Sequence, residues 1–132
     1  IKTGELVFIN AGHESILTFD KEKNYDYIKS DMPPIGIVKY FTESMVKSNT
    51  INLKDKTFVV YTDGVTEGYL KNGQELGAEG VQKIIDDMPD VTPKNIVESI
   101  EKELNWGAEK LRDDITCMAI NIANTELIKK AK

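Results

Sequence analysis

One uninterrupted run, Thr57-Phe58-Val59-Val60-Tyr61-Thr62, lies between the charged turn Lys54-Asp55-Lys56 and the pair Asp63-Gly64. It has the length and the β-forming residues of a strand, yet apolar and polar residues do not alternate along it. A strand with one wet face alternates, whereas a strand covered on both faces does not. A chain built around this run therefore needs apolar material above and below one central strand. The remaining residues have to supply both layers.

The first half offers further strands. Thr3-Gly4 reads as a turn feeding Leu6–Asn10; Ala11-Gly12-His13 breaks that run, and Ser15–Phe19 resumes it. After the charged turn Asp20–Asn24, Tyr25–Lys29 makes a third short strand. Met32-Pro33-Pro34-Ile35-Gly36 forms a rigid loop, and Ser44–Leu53 alternates loosely through Met45, Ile51 and Leu53. The second half changes period. Val81, Ile84, Ile85 and Met88 stand at i, i+3, i+4 and i+7, an amphipathic helix that Pro89 ends. Thr92-Pro93 then supplies an N-cap and a first-turn proline for a helix buried through Ile96, Val97, Ile100 and Leu104. Ile115–Ile122 returns to strand, with Ile115, Cys117 and Ala119 on one face and Met118, Ile120 and Ile122 on the other. The basic tail Thr125–Lys132 reads as helical. The expected class is α+β: five or six strands in antiparallel hairpins, with two helices covering one sheet face and little helical cover for the early strands.

Composition narrows the function. At 132 residues the chain suits one domain. Its 17 Lys+Arg against 22 Asp+Glu give a net charge of −5, which disfavours a broad binder of nucleic-acid backbone. No apolar run approaches the roughly 20 residues of a membrane span, and no charged-then-apolar leader opens the chain. Cys117 is the only cysteine, so an internal disulfide framework and a multi-cysteine zinc site are excluded, and a reducing, cytoplasmic setting is expected.

Chemistry concentrates at two strand ends. In Tyr61-Thr62-Asp63-Gly64-Val65-Thr66-Glu67 a carboxylate follows directly on the buried strand, and Gly64 allows backbone or ligand to come close. Hard cations such as Mg²⁺ or Mn²⁺ are held by oxygens placed in this way, although Asp-Gly is also a plain turn. In Arg112-Asp113-Asp114-Ile115-Thr116 two adjacent carboxylates lead into the last strand. One could face a site while its neighbour caps or meets solvent, or both could simply be solvated loop charges. His13, the sole histidine, fits either a phosphate-contacting role or a loop side chain bonded to backbone. Cys117 lies in an apolar strand as a small hydrophobe, and Trp106 is expected on the core. No GxxxxGK[ST] or GxGxxG stretch occurs.

Six ordered segments carry a resemblance: Thr3-Gly4-Glu5-Leu6, Asn10-Ala11-Gly12-His13, Pro34-Ile35-Gly36, Tyr61 to Glu67, Gly73-Gln74-Glu75-Leu76-Gly77 and Asp113-Asp114-Ile115-Thr116. In this order they resemble the SpoIIE/RsbU-type serine phosphatases, the bacterial branch of the metal-dependent PP2C-like (PPM) family. The resemblance spans residues 1–124 and leaves 125–132 as the basic tail. It implies an αββα sandwich of two β-sheets flanked by helices, with a two-metal centre at one end of the sheets. Asp63 and Asp113 match the family's metal ligands, with Gly64 and Asp114 as their neighbours in the metal site.

The activity implied is hydrolysis of a phosphoserine or phosphothreonine protein, typically a STAS-type anti-sigma-factor antagonist. Two Mn²⁺ or Mg²⁺ ions about 3.5–4 Å apart would activate a bridging water and clamp the phosphate, so no covalent phosphoenzyme forms. The family's Gly-Asp motif, whose aspartate bridges both metals, precedes the Thr-Gly-Glu-Leu segment at which this sequence starts. The chain is therefore expected to match the C-terminal part of such a domain, to be weakly active or inactive alone, and to form a dimer or swapped assembly through exposed strand edges. A non-catalytic module that keeps the fold as a binding surface is the competing expectation; a hydrolase of another phosphoester is a third.

Overall fold

A computed structural model describes residues 3–104 and 114–122. In chain order these form β1 (Glu5–Phe8), β2 (Ile16–Phe19), β3 (Tyr25–Ile28), β4 (Asn49–Asn52), β5 (Thr57–Tyr61), α1 (Asp63–Thr66), α2 (Gly77–Asp86), α3 (Pro93–Leu104) and β6 (Cys117–Ile120). A 3-10 turn at Glu43–Met45 precedes β4. The strands make two antiparallel sheets, β3-β2-β5-β6 and β1-β4. This is the mixed helix-and-sheet class expected from the periodicities.

The central run is covered on both faces. Val59 and Tyr61 of β5, with Leu17 and Phe19 of β2, meet Val81 and Ile85 of α2 and Ile96, Ile100 and Leu104 of α3. On the opposite face Phe58 packs with Ile16, Leu53 and the inward side chains Leu6, Phe8 and Ile51 of the β1-β4 sheet. The Phe8 and Phe58 rings meet edge to face at 5.0 Å, an arrangement that suits the ring quadrupoles. The molecule is thus layered as helices, four-stranded sheet and two-stranded sheet, with Val59 0% and Phe58 4% exposed on the two faces of one strand.

The helices form where their caps and periods put them. Thr92 Oγ1 accepts the Asn95 N–H at 3.2 Å, and Pro93 occupies the first helical position of α3. The far end of α2 is held by the β2–β3 turn. There Lys23 Nζ donates to the carbonyls of Ile85 and Asp86 at 2.9 and 2.8 Å, a cation on the negative end of a helix. Tyr25 Oη donates to Asp86 Oδ1 at 2.7 Å.

Three details differ from the expectation. The Ser44–Leu53 segment pairs only over Asn49–Asn52, because Thr42, Glu43, Ser44 and Val46 stay exposed and find no core. The last strand shortens to Cys117–Ile120, with Ile115 and Ile122 packed on opposite faces beyond its ends. The turn α1 was not foreseen, since four residues are too few to show a helical period. Trp106 and the tail Thr125–Lys132 lie outside the described residues. The outward face of β1-β4 leaves Val7 64% exposed, but the expected lack of helical cover does not extend to β2, whose Leu17 and Phe19 lie under α2 and α3. Among the described residues no helix is long and apolar enough to cross a membrane.

Candidate active site

Because β5 and β6 are antiparallel, with Tyr61 opposite Cys117, the C-terminal end of β5 lies beside the start of β6. Thr62 clasps the two. Its N–H donates to the Thr116 carbonyl at 3.0 Å, and its hydroxyl accepts the Thr116 N–H at 3.1 Å and donates to the Asp114 carbonyl at 3.2 Å. Asp63 is the next residue and opens α1. Its carbonyl accepts the Glu67 N–H at 2.8 Å and the Thr66 hydroxyl at 3.1 Å, which closes the turn. The exposed carboxylate receives the Gly64 N–H at 2.9 Å on Oδ1. Among the described residues no ion pair involves Asp63.

The turn is seated from below. Gly64 is buried and Val65 is 0% exposed. A Cβ on Gly68 would stand 2.7 Å from Leu104 Cδ2 and 3.0 Å from the Gly64 carbonyl oxygen. A side chain at Gly68 would press on the Leu104 methyls and the Gly64 carbonyl, so glycine keeps the approach between α1 and Leu104 close.

A second wall comes from the β1–β2 connection. Asn10 is 2% exposed, and its side chain accepts the His13 N–H at 3.0 Å and donates to the Glu14 carbonyl at 3.1 Å. Gly12 has φ +76°, and a Cβ there would stand 2.2 Å from Pro34 Cγ. The Gly12 N–H donates to Ser30 Oγ at 2.7 Å, and that hydroxyl faces the carbonyls of Asn10 at 2.9 Å and Met32 at 2.8 Å. Ala11 and Met32 form a parallel bridge. The loop so fixed presents Gly12, His13 and Glu14 to Thr62 and Asp63 around a depression of about 200 Å³.

Of the residues singled out in the sequence, Asp63 and Gly64 lie at this sheet end, and Asp114 reaches it through its backbone contact with Thr62. Asp114 is exposed. Asp113 lies outside the described residues. Glu14 was missed; its adjacency to His13 in an Asn-Ala-Gly-His stretch was the available signal. Cys117, by contrast, has its thiol pushed up to about 11 by burial, as suits a packing residue rather than a nucleophile.

The side-chain donors here are carboxylate oxygens with one imidazole, a set suited to Mg²⁺ or Mn²⁺. Among the described residues no group of three or more His, Cys, Asp or Glu is placed to hold a metal ion by itself. A separate depression of about 180 Å³ at the opposite end of β5 is lined by Lys21, Lys23, Lys54 and Lys56 together with Asp20 and Asp55. Lys23 is committed there to the end of α2, and hydrogen bonds led by the Asn24 side chain hold the Asp20 carboxyl below its usual range.

The family model for stage II sporulation protein E (SpoIIE) matches residues 1–123. Among solved structures, the SiaA-PP2C domain of Pseudomonas aeruginosa superposes with a TM-score of 0.67 at 20% identity, covering 92% of this chain and 48% of that one. The PP2C phosphatase domain of SpoIIE from Bacillus subtilis, with a fragment of its regulatory domain, gives 0.65 at 17% identity, covering 92% and 34%. The RsbU and RsbW domains of Rv1364c from Mycobacterium tuberculosis give 0.61 at 19% identity, covering 90% and 32%. A comparison with curated proteins returns no match. The chain spans about half the length of the SiaA domain. At these identities the likeness is one of fold.

Proposed function

This chain belongs to the SpoIIE family, whose fold neighbours are PP2C phosphatase domains, and from that premise we propose that its site serves metal-dependent hydrolysis of a phosphoserine or phosphothreonine protein. The observation that carries the reading is the placement of Asp63. Its carboxylate stands just past the end of β5, a strand buried at four of its five positions, beside the start of β6, with one oxygen on the Gly64 N–H and no described cation paired to it. A carboxylate placed at a strand end and left unneutralised is a ready ligand for a hard cation.

Asp63, with Asp113 and Asp114 from the segment leading into β6, would hold Mn²⁺ or Mg²⁺, and Gly64 brings backbone to the same point. When bound, such a metal supplies a water of lowered pKa and positive charge for the phosphate oxygens. The protein's own part is to hold the ligands still. Thr62 ties the two ligand-bearing segments together, and Gly68 leaves room for Leu104 beside the Gly64 carbonyl. The substrate we propose is a STAS-type anti-sigma-factor antagonist in the cytoplasm, in line with a fold neighbour that joins RsbU and RsbW domains.

Calorimetric titration of Mn²⁺ with Asp63→Asn as control tests the reading. The wild-type chain is expected to bind and the variant to lose at least tenfold in affinity, because a neutral amide replaces a charged hard ligand. Equal binding by both would remove Asp63 from the metal site and the reading with it.

A further inference from the structure

We propose that His13 is a substrate-contacting residue, whose imidazole N–H donates to a phosphoryl oxygen of the phosphoserine held against Asp63. The inference rests on the phosphatase reading above and adds a residue to it. It begins from an asymmetry in the β1–β2 loop. Nearly every polar group around His13 is spent on the shape of the loop: the Asn10 side chain on His13 N–H and Glu14 carbonyl, Ser30 on Gly12 N–H and two carbonyls. Gly12 is held at positive φ under Pro34. The imidazole takes little part in this network. It is exposed, and its only described contact is Nδ1 at 3.4 Å from the Glu14 carbonyl, too long to hold one tautomer. Loop and buried asparagine thus fix the backbone that carries the histidine and leave its ring uncommitted, free to meet a ligand.

The ring looks into the depression it shares with Thr62 and Asp63. Of the charged groups lining that depression, Glu14 and Asp63 are both negative, so a phosphate monoester alone would be repelled. A divalent cation on Asp63 would cancel that charge, and among the described residues lining the depression His13 carries the one side-chain nitrogen donor to a phosphoryl group there. A donated N–H to a charged phosphoryl oxygen is short and strong compared with a neutral hydrogen bond.

Because His13 is the sole histidine, its Cε1–H gives a single resonance that can be followed at fixed pH. In the presence of saturating Mg²⁺, titration with O-phosphoserine is expected to shift that resonance saturably. By calorimetry His13→Ala should bind O-phosphoserine about tenfold more weakly, whereas His13→Gln, whose amide N–H reaches a similar point, should recover most of the loss. Metal binding is read separately by the Mn²⁺ titration with Asp63→Asn. If metal binds and the His13 resonance stays silent, or if phosphoserine binds elsewhere, as at the Lys21–Lys54–Lys56 end, this inference falls while the phosphatase reading stands. Equal losses in the alanine and glutamine variants would reduce His13 to a loop residue and overturn it too. If no metal binds in an Asp63-dependent way, both fall together.

Discussion

Gly12 joins two conditions that no other residue meets: a backbone in the left-handed region and a pyrrolidine ring where a side chain would begin. Gly12→Ala should therefore cost about 1–3 kcal/mol from the backbone alone, more if Pro34 cannot move, and should displace His13. Chemical denaturation reads the first effect and the His13 resonance reads the second. An unchanged midpoint and an unchanged resonance would show that the loop is not held as described. At this scale the candidate site was partly legible. Asn10-Ala11-Gly12-His13 stands out in the sequence, and so does Asp63-Gly64. That Pro34 and Ser30 are what hold the loop could not be read, because their contacts with it span about 20 residues of chain and depend on where the intervening strands lie.

At the level of elements, the pairing of β5 with β6 buries two groups that resist ionisation. Burial pushes the Tyr61 phenol up to about 12 and the Cys117 thiol up to about 11, from ordinary values of 10.0 and 9.0. In the unfolded chain both lose their protons at the ordinary values, so between those values and the raised ones the native state holds more protons. Stability is then full below pH 9 and falls as pH rises from about 9 towards 12. Urea midpoints measured across that range should fall, and Cys117→Ala should flatten the lower part of the decline. A flat profile between pH 9 and 11 would mean that the thiol is not held as neutral as this packing implies. The helices were the most legible elements. The i, i+3, i+4, i+7 spacing of Val81 to Met88 and the Thr92-Pro93 cap are local, and α2 and α3 form where they point. The 3-10 turn at Glu43–Met45 and the short β4 were less so, because weak alternation leaves pairing to decide the strand's ends.

On the scale of the whole molecule, the three layers leave one side uncovered. Among the described residues the two-stranded sheet consists of β1 and β4 alone, with no described strand on either edge, and Val7 points outward at 64% exposure. Ile35, Ile37 and Tyr40, in the long β3–β4 connection, are 81%, 74% and 75% exposed. Open edges with apolar surface invite pairing with a second copy. We expect this chain to self-associate at tens of micromolar, and Val7→Lys to shift it towards monomer, as read by sedimentation velocity. A single monomeric boundary for the wild-type chain at those concentrations would count against the idea.

The run Thr57–Thr62 by itself determined that the fold would be layered on both sides of one strand, and the two helical periods determined which face of each helix would be buried. Both follow from the cost of leaving apolar side chains in water, which acts along the local sequence and needs no knowledge of distant residues. Only the tertiary structure decided that the Asn10–Glu14 loop would stand opposite Asp63 and that Thr62 would join Asp63 to the segment before β6. Those meetings depend on antiparallel registers, Leu17 against Val59 and Tyr61 against Cys117, that bring together residues about 50 apart in the chain. A register is chosen by the packed core as a whole, and no short stretch of sequence contains it.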